Sequence, residues 1–69
     1  MEDHVYKLIE VVGTSHEGID QAIQAGLDRA RQSIRHIRWF EVAGMRGFID
    51  PEDRTQYQVT LKLGFTLDG

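Results

Sequence analysis

The 69-residue chain contains no cysteine. Disulfides and thiolate zinc sites are therefore excluded, and the absence fits a cytoplasmic location. The three histidines, His4, His16 and His36, are scattered without ligand spacing, so no metal site is expected. There is one proline and no low-complexity stretch. No apolar run approaches the roughly 20 residues that span a bilayer. The opening MEDHVYKLIE lacks the basic start and apolar core of a signal peptide. Neither sign of charge dominates: eight Lys plus Arg against eleven Asp plus Glu give a net charge of −3. That excludes a generally basic nucleic-acid coat and leaves room for a local basic patch. The phosphate, dinucleotide and zinc-protease motifs are missing. Ser15-His16 and Ser33…His36 lack an orienting acid, and Glu10 and Glu41 read most simply as strand carboxylates in salt bridges or solvent. An enzyme is not indicated.

Hydrophobic residues make up 41% of the chain, too many for a disordered tail, and the length implies one domain. A chain this short buries only about 60% of its extended surface when it folds alone. Small domains need a disulfide, a metal or a partner. With the first two excluded, oligomerisation remains.

Residues 4–12 are rich in β-branched and aromatic types and predict a first strand, apolar on both faces. Thr14 and Glu17 have capping-box spacing, with Ser15 as the rival N-cap. Ile19, Ala22, Ile23, Gly26, Leu27, Ala30, Ile34 and Ile37 then recur at steps of three and four. They predict an amphipathic helix of about five turns. Gly26 on its inward stripe predicts a close approach to a sheet. Residues 38–49 predict a second strand in which Phe40 and Val42 form the core pair, and Asp50–Asp53 a turn. In residues 55–67, Tyr57, Val59, Leu61, Leu63, Phe65 and Leu67 alternate with polar or small residues, the pattern of a long strand with one core face. The fold class is α+β: a β-α-β-β chain whose three-stranded antiparallel sheet partly wraps one long helix. A thin core and open sheet edges point to a closed homo-oligomer.

The segment Arg29–Phe40 holds four arginines and no acid. It suits an anionic ligand such as phosphate or nucleic acid, and equally suits arginines at a helix C-terminus paired with acids of neighbouring chains. An oligomeric nucleic-acid or protein-interaction module using Arg29–Arg38 is the alternative reading. Trp39 is the only tryptophan. Beside Phe40 it points to the opposite face, which suits either an oligomer interface or a stacking platform for a flat ligand.

The chain resembles the dodecins in Val12-Gly-Thr-Ser15, in an alanine-rich helix reading A-x-x-x-G-L-x-R-A, in Trp39-Phe-Glu-Val42, in Arg46-Gly47, and in Tyr57-Gln-Val-Thr-Leu-Lys-Leu-Gly-Phe65. Each stretch is weak alone; in this order and at this length they are specific. The resemblance implies a hollow homododecamer that binds flavin as stacked pairs between tryptophans at two-fold axes, as a flavin store without enzymatic activity. It implies FMN, with riboflavin or FAD as alternatives, and coenzyme A as a second ligand of some members. Trp39 matches the tryptophan that stacks on the isoalloxazine, Gln58 the glutamine at its polar edge, and Arg46 the arginine that contacts flavin. Lys7, Arg29 and Arg35 are weaker matches for phosphate or coenzyme A contacts. Many bacterial members read G-F-R-L where this chain has Gly64-Phe65-Thr66-Leu67.

A hairpin turning at Pro51-Glu52 sets Trp39 opposite Gly64 and Gln58 opposite Met45. Trp39 and Gln58 are then about six residues, or roughly 20 Å, apart along one sheet. An isoalloxazine is only about half that long, so Trp39 of one subunit and Arg46 with Gln58 of another are expected to share the ligand. Strict alternation would aim Arg46 at the Phe40 face, which predicts a bulge near Gly44.

Overall fold

The computed structural model describes residues 5–67. They form β1 (Tyr6–Ser15), α1 (Ile19–Arg31), β2 (Ile37–Ile49) and β3 (Thr55–Thr66), in the β-α-β-β order that the sequence predicts. His4, the first residue of the predicted strand, lies outside the described residues. The strand with the cleanest alternation takes the centre: β3 pairs antiparallel with β1 on one side and β2 on the other. Its apolar face is sealed, with Val59, Leu61 and Leu63 all 0% exposed. Ala22, Leu27 and Ala30 of α1 close over them. Ile9, Val11, Ile19, Ile23, Ile34, Ile37 and Tyr57 pack around that cluster.

Helix and sheet touch where two glycines meet. A Cβ on Gly13 would fall on the Ala22 carbonyl oxygen and lie 3.0 Å from the Gly26 nitrogen. A Cβ on Gly26 would lie 3.0 Å from Leu61 Cδ1 and 3.4 Å from Gly13 Cα. The close approach expected at Gly26 is therefore real, and Gly13 is the tighter partner.

Both expected helix ends are corrected. β1 runs on through Thr14 and Ser15, which pair with Gln58 and Tyr57. Gly18 takes the N-cap without a side-chain hydrogen bond. Thr14 and Glu17 form no capping box, and the Ser15 hydroxyl instead accepts from the Glu17 N–H at 2.9 Å. At the other end α1 spans 13 residues, about three and a half turns rather than five. Ser33 and Ile34 fold back onto the Ala30 carbonyl. His36 then adopts a φ of 65°, and Ile37 opens β2.

Two register shifts interrupt β2, between Ile37 and Trp39 and between Val42 and Gly44. The second is the bulge expected near Gly44. Trp39 faces Gly64 as expected, but Gln58 faces Arg46 rather than Met45, because the bulge absorbs one residue of β2. Phe40 and Val42 face Leu63 and Leu61 and so share the helix side of the sheet. They are not core residues of the single chain, being 46% and 40% exposed. α1 packs on β1 and β3 and leaves β2 almost bare. Val5, Leu8, Val12, Met45, Phe48, Ile49 and Leu67 are also exposed. The chain measures 54 × 21 × 16 Å with a radius of gyration of 14.3 Å, against about 11 Å for a compact domain of this length. Its accessible surface is 5195 Å², where a compact monomer of 7.9 kDa would expose roughly 4,400 Å². The chain is thus more extended and more exposed than a compact domain of its size.

Asp50 organises the hairpin turn. Its carboxylate accepts from the Glu52 and Arg54 N–H groups at 3.0 and 2.9 Å and from Arg54 Nε at 3.0 Å. The Arg54 backbone hydrogen bond, aided by the Arg54 charge and the Glu52 N–H, holds the Asp50 pKa below its ordinary 3.8 against the opposing effect of burial. His16 Nδ1 lies 2.9 Å from the Thr55 carbonyl and ties the β1–α1 loop to the same turn. Because the folded pKa is depressed, Asp50 contributes stability above the unfolded value, and that contribution is lost as pH falls through the folded one. Asp50→Asn should lower the melting temperature at pH 7, and the gap to the parent should narrow as pH falls through the depressed folded pKa. Thermal unfolding followed by circular dichroism across an acidic pH series checks this.

Candidate functional site

The sheet face turned away from α1 carries the predicted ligand residues. Residues directly opposite one another share a face. Trp39, Glu41, Gly44, Arg46 and Phe48 of β2 therefore lie beside Gly64, Lys62, Thr60, Gln58 and Gln56 of β3. Beyond β3, the β1 residues Tyr6, Leu8, Glu10, Val12 and Thr14 continue that face. It has two chemically distinct ends.

At one end the indole of Trp39 lies across Gly64, so close that its ring atoms occupy the place a Cβ would take. Only glycine lets the ring settle on the strand backbone. Tyr6 meets the indole edge-on, with centroids 6.1 Å apart and planes at 69°, the favoured arrangement of an aromatic pair. Trp39 remains 38% exposed. The result is a flat, braced aromatic surface open to the outside.

At the other end Arg46 Nε donates to Gln58 Oε1 at 2.8 Å, and Gln58 Nε2 donates to Gln56 Oε1 at 2.9 Å. Arg46 is brought to this face by the bulge before Gly44. Between the two ends Lys62 stands opposite both Glu10 and Glu41, the arrangement of a cross-strand charge ladder.

The structure thus joins Arg46 with Gln58 and separates both from Trp39. Gly64 and Gln58 are six residues apart on β3, or about 20 Å. The weaker candidates fall elsewhere. Lys7 pairs with Phe65 and shares the helix-side face of Ile9 and Val11. Arg29 lines a groove of about 450 Å³ between α1 and β1, with Gly13, Gly26 and Ser33, and its guanidinium donates to Gln32 Oε1 at 3.1 Å. Arg35 lines a separate hollow of about 440 Å³ with Arg31, His36 and Arg38. The basic stretch Arg29–Arg38 is therefore divided rather than one patch, and Arg31 is paired with Asp28 at 3.5 Å. Thr66, where many relatives carry arginine, stands opposite Tyr6. Tyr6 and Gln56 belong to the two ends of the face and are not among the residues singled out in the sequence. The alternation that put Gln56 and Gln58 on one face was the signal that could have found Gln56. Among the described residues no three His, Cys, Asp or Glu side chains come together as a metal site, and no helix is long and apolar enough to cross a membrane.

A β-α-β-β protomer with such a face is the framework of a small ligand-binding protein. The sequence profile of the dodecins matches residues 5–68. The dodecin of Thermus thermophilus is 53% identical over 64 residues, covering 93% of each chain. A solved Thermus thermophilus structure superposes with a TM-score of 0.87 at 51% identity, over 97% of this chain and 98% of that one. The dodecin structure of Streptomyces coelicolor gives 0.88 at 46% identity, over 100% and 99%. The calcium dodecin of Mycobacterium tuberculosis is 32% identical over 63 residues, covering 91% of this chain and 89% of its own. The chain belongs to the dodecin family. Dodecins are small ligand-binding proteins and not enzymes.

Proposed function

We propose that this dodecin is a flavin-binding storage protein. It sequesters FMN, or riboflavin, as stacked pairs between Trp39 indoles in a hollow homododecamer of the cytoplasm, limiting free flavin and its photochemistry. The observation that carries the reading is the Trp39 ring spread over Gly64 with Tyr6 at its edge. A flat, electron-rich ring needs no sequence of polar groups to hold an isoalloxazine, only a face. Stacking contributes about 0.5–1.5 kcal/mol beyond burial for an aromatic pair.

The polar end supplies what the pyrimidine edge of a flavin requires. An amide offers both a donor and an acceptor. With Arg46 on its oxygen and Gln56 on its nitrogen, Gln58 retains one N–H and one lone pair for a ligand. The separation along β3 argues that one chain contributes Trp39 and another contributes Arg46 with Gln58, so binding requires assembly. The exposed apolar residues of both faces and the elongated shape support assembly. Lys7, Arg29 and Arg35 lie apart from one another, and coenzyme A forms no part of the proposal. Titrating FMN with the purified assembly tests the reading. Flavin fluorescence should be quenched and saturate at one flavin per chain, on a particle whose light scattering gives about twelve subunits. Unquenched FMN at micromolar protein would refute it.

A further inference from the structure

Gln58 could present either end of its amide to a ligand, and the two orientations offer opposite patterns of donor and acceptor. Arg46 carries only donors, so its 2.8 Å contact fixes Gln58 Oε1 on the Arg46 side. The Gln58 NH2 then points to Gln56, whose Oε1 accepts at 2.9 Å. Both glutamines are half-buried and stand two residues apart on one face of β3. Arg46 holds one end of the amide and Gln56 holds the other.

We infer that Gln56 is a positioning residue that, with Arg46 fixing the oxygen, holds the NH2 end of the Gln58 amide in register and thereby sharpens its selectivity for a ligand edge bearing an N–H beside a carbonyl. The inference rests on the flavin reading above and adds to it a residue and a selectivity. Gln58 Oε1 accepts the ligand N–H through its second lone pair, and the second Nε2 hydrogen goes to the neighbouring ligand carbonyl. Arg46 alone fixes the oxygen side. Without an acceptor at position 56, the NH2 is free to rotate out of register with the ligand, and the cost of ordering the side chain falls on each binding event.

The test compares riboflavin with riboflavin methylated at N3, which lacks the N–H, on the assembled protein. The parent should prefer riboflavin. Gln56→Glu keeps an acceptor in place and should keep the parent's ratio of dissociation constants. Gln56→Met removes the acceptor and should shrink that ratio about fivefold, the effect of one side chain no longer pre-ordered, while hardly changing affinity for the methylated ligand. A loss of packing alone would weaken both ligands equally. Gln56→Lys puts a donor against the Gln58 NH2 and should shrink the ratio too, which gives a second variant should the methionine chain not assemble. A discriminating parent whose Met and Lys variants keep its ratio overturns this inference and leaves the flavin reading standing. A parent that binds neither flavin overturns both.

Discussion

Trp39→Ala is expected to weaken FMN binding about five- to 150-fold, because stacking of a flat base on an aromatic side chain is worth about 1–3 kcal/mol by alanine substitution. The fold should survive. Trp39 is 38% exposed and lies outside the core cluster, and its neighbours Tyr6 and Gly64 belong to strands held by the β3 ladder. Fluorescence of the flavin that still binds should rise, since the indole that quenches its excited state is gone. Calorimetry with FMN, paired with light scattering on the same sample, measures both effects. An assembled variant with the parent's affinity would remove Trp39 from the site.

Gly13→Ala should be the most damaging single methyl in the protein. The added carbon would meet backbone atoms of Ala22 and Gly26, which cannot swing aside as a side chain does. Overpacking of this kind costs about 1–3 kcal/mol where neighbours can yield, and here the helix itself would have to lift. About 3 kcal/mol corresponds to roughly 12–24 °C in melting temperature for a domain of this size, read at fixed chain concentration because assembly contributes. Gly26→Ala gives the contrast. Its Cβ meets mainly the end of Leu61, and alanine regains about 1 kcal/mol of helix propensity, so its net effect should be small. Differential scanning calorimetry of the two variants decides the point. Equal melting temperatures would contradict the contact geometry.

The same pair of glycines marks what the sequence could and could not express. Gly26 was legible because it interrupts an apolar stripe of known period. Gly13 was not, because the first strand was expected to end at Val12 and the capping-type residues after Gly13, Thr14 and Glu17, resembled a helix start. The strand continues because its ladder to β3 runs as far as Tyr57, a pairing that local sequence does not contain. The helix stop was hidden for a related reason. Ile34 and Ile37 keep the helical spacing, yet no glycine or proline stands near them to announce the end. A positive φ at His36 does that work instead. The long alternation of β3 was readable directly, and with it the hairpin and the bulge that re-aims Arg46; that β3 lies at the centre of the sheet was not. Trp39 and Gln58 were therefore placed on one face from the sequence. The partners that tune them were not: Tyr6 reaches Trp39 across β3, and the Gln56–Gln58 bond depends on how two side chains are turned. Phe40 and Val42 followed the core pattern faithfully and are nonetheless exposed, because α1 does not cover β2; the proposed assembly would account for their pattern.

The central claim is that a complete flavin site is made between chains, with Trp39 from one and Gln58 from another. Co-assembly of two defective chains tests it most directly. Trp39→Ala and Gln58→Ala chains should each bind FMN poorly when assembled alone. Mixed in equal amounts, dissociated and reassembled, they should regain tight, quenched binding at about one quarter of the sites, the share that random mixing gives to sites joining an intact Trp39 to an intact Gln58. If both residues act within one chain, no mixed particle contains a complete site, and a mixture that binds no more tightly than its two components would contradict the account.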